Sequence, residues 1–450
     1  MSLVQRYYTC EVCNNTQNNC ESCHCCGSKA LHEVLSKTFT SDPLPQSVCM
    51  NTKIVIIGGG IASLATIRQL VLNGMKNITL ICKEDTKPYY RTTIPKVLGD
   101  PNFVNKEQFI LEKDCFYEKN EINTLIGWTV DNIDMKEKKI LCNKGEEKKE
   151  IPFDTLVFAN GGEPNRPPFI KNTTVKDVFP IHTLTNINGM NECFANKTVK
   201  NVVIIGGGLC GIEIAVAMKR KHKDVGIVLV EIANRILPKQ LSVEASALFE
   251  ETLKQNNVVL KTSSCVSSII EKDDRICVEL QDKEILMCDM VCYSCGVSPN
   301  KTLAEKIGCA VNRGIVVDER MRTSLSDVYA CGDCCEYNSC CFGNWTDAMK
   351  QGTECADTIC GKDSKFVHTP MPYFVFCFTN VFSVGQIVGD AVTKKSGKDF
   401  VQIFRQDGVI VGGVLLGKPV IKVQRPLIAA VDKKVGGAEA QALIDEWMNF

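Results

Sequence analysis

The feature that most restricts the fold is a pattern written twice. Residues 53–57 (KIVII) form a β-branched apolar run that stops at Gly58-Gly59-Gly60; IASLATIRQLVLNG then has helical spacing, and residues 78–82 are a second apolar run. Strand, glycine turn, helix, strand reads as a βαβ unit with its two strands parallel in one sheet. The same order returns as residues 201–205 (NVVII), Gly206-Gly207-Gly208, the helical LCGIEIAVAMKRKH and a strand over residues 226–231. A chain of 450 residues with two such units is an α/β protein of several domains.

Each turn has the chemistry of a dinucleotide site. In the first, Gly58 allows the tight turn, Gly60 lets the backbone approach a pyrophosphate at a helix N-terminus, and the small Ser63 permits close helix–strand packing. Glu84, with Asp85 beside it, follows the second strand, where a carboxylate accepts from ribose hydroxyls. The second turn has the complete fingerprint Gly206, Gly208 and Gly211, followed by Glu231. A carboxylate there repels a 2′-phosphate, which favours NADH, while Arg235 close by keeps NADPH open.

Composition excludes several classes. Hydrophobic residues are 44%, charged residues 23%, and net charge is zero, so nothing basic invites nucleic acid. No apolar stretch approaches the roughly 18 residues of a membrane span, and MSLVQRYYTC does not resemble a signal peptide. A cytoplasmic protein is expected. The 26 cysteines are scattered, and most read as free thiols used as small apolar side chains, including the vicinal pairs Cys334-Cys335 and Cys340-Cys341. The charged run at 146–150 (EEKKE) reads as a solvated hairpin loop.

The first thirty or so residues are rich in Cys and Asn and too poor in apolar residues for a core. Cys10-x-x-Cys13 and Cys23-x-x-Cys26 are two knuckles that can deliver four thiolates tetrahedrally to iron or zinc. Cys20 and Cys25 are rival ligands, and His24 and His32 read as surface residues. Two prolines and small polar residues mark residues 37–51 as a linker. From Pro370 onward an aromatic-rich segment, alternating strands and a helix around residues 439–448 indicate a third, α+β domain.

The two fingerprints, followed by TSLSDVYACGD at 323–333, resemble the pyridine nucleotide-disulfide oxidoreductases, flavoproteins with two Rossmann-like domains, over most of residues 52–390. By that resemblance the first site takes FAD and the second NAD(P)H. Gly332 and Asp333 then meet the ribityl and pyrophosphate region of FAD, and FDTLVFANGGEPNRP, with Gly161, is a second nucleotide-contacting stretch in which Asn160 replaces the usual threonine. KPYYRTTIPKVLGD is similar to the flavin-passing segment of NAD(P)H:rubredoxin reductases and NADH oxidase-like flavoproteins, which implies Tyr89 and Arg91 at FAD and a Lys96–Glu213 pair near the flavin N5. The N-terminal segment resembles a rubredoxin-type module, and the last domain resembles the family's interface domain, which implies a homodimer.

The organisation expected is a metal module at 1–36, a linker at 37–51, an FAD domain split into 52–165 and 290–368, an NAD(P)H domain at 166–289 and an interface domain at 369–450. Residues 58–75 contain no cysteine and residue 92 is threonine, so the flavin has no thiol partner of the disulfide-reductase kind. The resemblance thus implies hydride transfer from nicotinamide C4 to flavin N5, then single-electron release to the four-cysteine iron and on to an acceptor protein or oxygen. Two rivals stand beside it: an NADH oxidase whose knuckle holds structural zinc, and a redox-sensing FAD/NADH-binding interaction protein.

Overall fold

The computed structural model describes residues 49–368 and 372–449, with the backbone alone at 374–376, and, ahead of them, the backbone of three strands, Val4–Cys10, Thr16–Gln17 and Leu31–Thr38. These strands form an antiparallel sheet with the first in the centre. Cys10 ends that strand; its side chain and the expected ligands Cys13, Cys23 and Cys26 lie outside the described residues, as do the rivals Cys20 and Cys25.

The chain divides into two compact units. One comprises residues up to Arg91, Asn105–Glu163 and Val297–His368; the other comprises Thr92–Val104, Pro164–Gly296 and the chain from Thr369. The first is built on a parallel sheet in the order Val328–Ala330, Thr155–Phe158, Ile54–Ile57, Ile78–Cys82, Asn123–Ile126. Ile54–Ile57 and Thr155–Phe158 are buried at every position, as befits strands covered on both faces. The helices Ile61–Leu72 and Trp345–Ile359 pack so closely that a Cβ on Gly352 would lie 2.3 Å from the Ala62 carbonyl oxygen.

The second unit repeats the plan in the order Val178–Pro180, Met290–Tyr293, Asn201–Ile205, Gly226–Val230, Val258–Lys261, again all parallel. Both doubly wound sheets expected from the glycine turns are therefore present. The unit also holds a five-stranded antiparallel sheet, Tyr373–Phe376, Asn380–Gly385, Val409–Leu416, Asp399–Gln406, Asp390–Ser396, whose core is closed by Pro419–Asp432 and Gly437–Trp447. This is the α+β region read from the sequence, with one helix more. Pro426 sits inside Pro419–Asp432 on its exposed side, where water can satisfy a carbonyl that lacks its helical N–H.

Two further departures have local causes. The run at 146–150 is not a loop: Glu147–Pro152 is the edge strand of an antiparallel sheet with Lys139–Lys144 and Thr129–Asp134, and its charges lie exposed along a free edge. Such an edge discourages pairing with another chain. Residues 92–104, adjacent in sequence to the first unit, belong to the second. The helix Ile94–Gly99 buries Ile94, Val97 and Leu98, and its carbonyls at Val97 and Leu98 accept from Asn191 Nδ2 (3.4 Å) and Lys221 Nζ (3.3 Å).

The described cysteines of both units, from Cys49 onward, are free thiols, and many are core residues. Cys331, Cys334 and Cys355 have no exposed surface, and Cys335 has 1%. The Cys334 Sγ donates to the Phe158 carbonyl at 3.3 Å and the Cys335 Sγ to Gln351 Oε1 at 3.3 Å, so this vicinal pair packs rather than bridges. Burial pushes the Cys82 and Cys341 thiols up to about 12. Among the described residues no helix is long and apolar enough to cross a membrane.

Candidate functional site

In the first unit, Gly58 has φ +121°, and a Cβ there would lie 2.2 Å from the Ala159 carbonyl oxygen, so no other residue fits. Gly60 is the N-cap of Ile61–Leu72 with no side-chain cap, and nothing lies within 4 Å of where its Cβ would be. The open ground faces the unpaired N–H groups of a 12-residue helix, where phosphate oxygens are stabilised. Ser63 is fully buried and its Oγ donates to the Gly60 carbonyl at 2.7 Å, bracing the turn from inside.

The turn at Gly332–Asp333 is brought to the same place. Gly332 has φ +79°, a Cβ on it would strike the Ala62 Cβ at 2.7 Å, and its N–H donates to Gln351 Oε1 at 2.8 Å. Burial pushes the Asp333 carboxyl up to about 6, with the Arg91 charge pulling the other way. Arg91 Nη2 donates to Glu84 Oε1 at 2.5 Å and Tyr89 OH donates to Oε2 at 2.8 Å. The Tyr89 ring stacks on Phe109 with centroids 4.9 Å apart. Glu84, Tyr89, Arg91 and Asp333 thus form one electrostatic chain, with Gly161 (φ +62°, open ground at its Cβ) at the end of the neighbouring strand. Alone, Glu84 was legible as a ribose acceptor; its duty as the anchor of Arg91 was not.

The second unit shows the same construction. Gly206 has φ +110°, with the Ser294 carbonyl oxygen 2.4 Å from a would-be Cβ, and Gly211 would meet the Gly206 carbonyl at 2.0 Å. Gly208, the N-cap of Leu209–Lys221, has open ground. Glu231 accepts from the Gly207 N–H at 2.6 Å and the Ala233 N–H at 2.7 Å, so one carboxylate both braces the turn and lines it. Ile232, the next residue along, is 72% exposed. Arg235 is partly spent on its own loop: Nη2 donates to the Pro238 carbonyl at 2.9 Å.

Lys96 and Glu213 both belong to this unit. Glu213 is half-buried on the helix Leu209–Lys221, and desolvation raises its carboxyl to about 7 against the pull of Lys96. The two form no direct ion pair among the described residues; the Lys96 ammonium lies 5.5 Å from the Phe103 ring centroid.

The residues present fit two dinucleotides. Each turn offers space that only glycine leaves, a helix N-terminus without a side-chain cap, and a carboxylate at the strand end. In the first, the Asn160 Oδ1 is also buried and without a partner.

Comparison with known proteins agrees. Residues 52–352 match the pyridine nucleotide-disulphide oxidoreductase family. An NADH oxidase of Methanocaldococcus jannaschii is 29% identical over 323 residues, covering 70% of this chain and 71% of that protein. The NADH-rubredoxin oxidoreductase of Clostridium acetobutylicum is 26% identical over 348 residues, covering 76% and 84%. The chain spans only 37% to 45% of the nitrate and nitrite reductase proteins of Bacillus subtilis and Escherichia coli that it also matches. In fold it is similar to a ferredoxin reductase from Rhodopseudomonas palustris, with a TM-score of 0.75 at 24% identity, covering 88% of this chain and 98% of that one. The chain therefore belongs to the pyridine nucleotide-disulphide oxidoreductase family, as an FAD-dependent NAD(P)H oxidoreductase.

Proposed function

We propose that the protein oxidises NADH at the second turn, with FAD at the first, and passes electrons to a rubredoxin-type iron held by Cys10, Cys13, Cys23 and Cys26 and then to a downstream acceptor protein. The observation that carries this reading is the pairing of two open glycine turns with a first helix, Ile61–Leu72, that has no cysteine. An electron pair arriving beside that helix has no dithiol to enter, so it leaves for a metal or an external acceptor. The relative named as an NADH-rubredoxin oxidoreductase supports the same class of acceptor.

The chemistry FAD supplies when bound is acceptance of a hydride equivalent and release of its electrons one at a time. The chain's own residues set the conditions. The helix termini at Gly60 and Gly208 take the pyrophosphates, Glu231 takes the free ribose hydroxyls and disfavours NADPH, and Arg91 holds Glu84 while offsetting Asp333. Glu213, raised to about 7, can hold or release a proton at neutral pH, and Lys96 supplies a positive charge near it. Tethering the four-cysteine module to the reductase raises its effective concentration to roughly the millimolar range.

An absorption spectrum of the full chain before and after anaerobic NADH addition, with metal analysis, tests the reading. A flavin band that bleaches with NADH together with a bleaching iron–thiolate band is expected. A colourless protein that takes up no flavin overturns it. Likeness to an NADH oxidase supports a second reading, in which the knuckle holds zinc and oxygen is the acceptor; zinc in place of iron with rapid oxygen consumption would select it.

A further inference from the structure

The helix Pro419–Asp432 presents a stripe to solvent that no step of the electron path uses. Lys418 at its N-terminus, then Ile421, Lys422 and Arg425, fall three, four and seven residues along, so they share one side of the helix, and all four are exposed. Ile421 has 71% of its surface in solvent, unusual for so large an aliphatic side chain.

The stripe borders a groove of about 460 Å³. The opposite bank is the end of the helix Leu209–Lys221, where Arg220 Nη2 donates to the Cys377 carbonyl at 2.7 Å, and the half-buried Phe378 lines the ground between. A hairpin turn adds a third side. Asp399 Oδ1 accepts from the Lys418 N–H at 2.8 Å, and a Cβ on Gly417 would stand 3.2 Å from the Lys398 carbonyl oxygen, so the exposed Lys398 is carried to the start of the helix. Five cations from three elements therefore share one face: Arg220, Lys398, Lys418, Lys422 and Arg425. None of them makes an ion pair among the described residues, and Asp399, the one carboxylate lining the groove, already serves the Lys418 amide. In a chain of zero net charge this is a local concentration of positive potential around a small apolar tip.

An anionic partner relieves that repulsion, and the size of the apolar ground says which kind. A stable protein partner buries roughly 800 Å² on each side around an apolar, aromatic-rich core. One isoleucine and the edge of one phenylalanine fall far short of it. An anionic bilayer asks for less: each Lys or Arg near the headgroups adds its own attraction, and a single protruding aliphatic side chain can enter the headgroup layer.

We propose that this face of the second unit is a docking surface for an anionic membrane, with Arg220, Lys398, Lys418, Lys422 and Arg425 set against lipid phosphates and Ile421 inserted among the headgroups. The contact lies along the bilayer surface and needs no spanning segment.

The test is sedimentation of the full-length protein, as purified, with vesicles of phosphatidylcholine alone and of phosphatidylcholine mixed with phosphatidylglycerol, at low salt. The protein should sediment with the mixed vesicles, leave them when salt is raised, and ignore the neutral ones. Lys418→Gln with Lys422→Gln should weaken binding about thirtyfold, the order expected for two cations at an anionic surface. Lys398→Gln with Arg425→Gln, which draws on a different pair of elements, should repeat that loss, and Ile421→Ser should weaken binding several-fold. Lys148→Gln, on the exposed edge strand of the first unit, should change nothing. Equal sedimentation with neutral and mixed vesicles, or binding to mixed vesicles that both double substitutions leave intact, overturns the proposal. So does retention on immobilised polyglutamate without any vesicle binding, which assigns the face to an acidic protein instead.

Discussion

Replacing Glu213 by glutamine removes a charge that the second unit accommodates badly. The carboxyl rises from an ordinary 4.5 to about 7 because burial disfavours its ionised form, and Lys96, without a direct ion pair, offsets only part of that. The difference corresponds to about 3 kcal/mol at 1.36 kcal/mol per pH unit, and solvent access to a half-buried group reduces what is realised to about 1–2 kcal/mol. The sign follows from linkage. Below pH 4.5 both folded and unfolded chains carry the proton and the substitution changes nothing. Between 4.5 and 7 the folded protein holds a proton that the unfolded chain has released, so wild-type stability falls as pH rises, and above 7 the full penalty stands. Glu213→Gln should therefore match wild type near pH 4.5 and exceed it in Tm by a few degrees at pH 8. Thermal unfolding followed by tryptophan fluorescence at half-unit pH steps measures this. A gain that is equal at pH 5 and pH 8, or a loss at pH 8, refutes the assignment of a desolvated carboxylate. The same variant should flatten the pH dependence of flavin reduction by NADH around neutrality.

Other outcomes follow from the two cradles. Gly206→Ala, which drives a methyl group against the Ser294 carbonyl at positive φ, should cost at least about 1–3 kcal/mol and lower Tm. Gly208→Ala meets only open ground and should leave Tm unchanged while raising the KM for NADH about tenfold, the order of one lost phosphate contact; steady-state kinetics beside thermal unfolding separates the two. Arg91→Gln should break the Glu84 pair, a charge-assisted bond of about 1.5–3 kcal/mol, and raise Asp333 further, so the purified protein should carry several-fold less flavin by the ratio of visible to 280 nm absorbance.

What could be read from the sequence divides by distance along the chain. Gly58 and Gly206 were legible because the constraint on each is local: a strand must turn at once into a helix past a neighbouring carbonyl. Glu84 and Glu231 were legible as carboxylates at strand ends, but the donors that hold them, Tyr89 and Arg91 on one and the Gly207 and Ala233 amides on the other, depend on how each turn closes. The hydrogen bonds that Asn160 and Asn300 exchange join positions 140 residues apart and leave no periodic trace. Glu147–Pro152 was misread because charge density suggests a loop, whereas an edge strand whose residues 147–150 are exposed tolerates charge at all four of those positions. The helix Pro419–Asp432 was hidden by Pro426, a residue that breaks helices unless the released carbonyl can reach solvent.

The placement of the thiols governs how the molecule would age in air. Among the described cysteines, Cys49, Cys115, Cys210 and Cys340 lie at the surface, while the rest are wholly or partly covered, several with their ionisation suppressed. Alkylating reagents and peroxides attack thiolate, so the described cysteines of the native protein should consume them slowly and at few positions. Loosening of either sheet would uncover a store of reactive sulfur at once. For a protein so arranged, the uptake of a coloured thiol reagent is a clock for opening, and inactivation by oxidants becomes a record of how often the fold breathes.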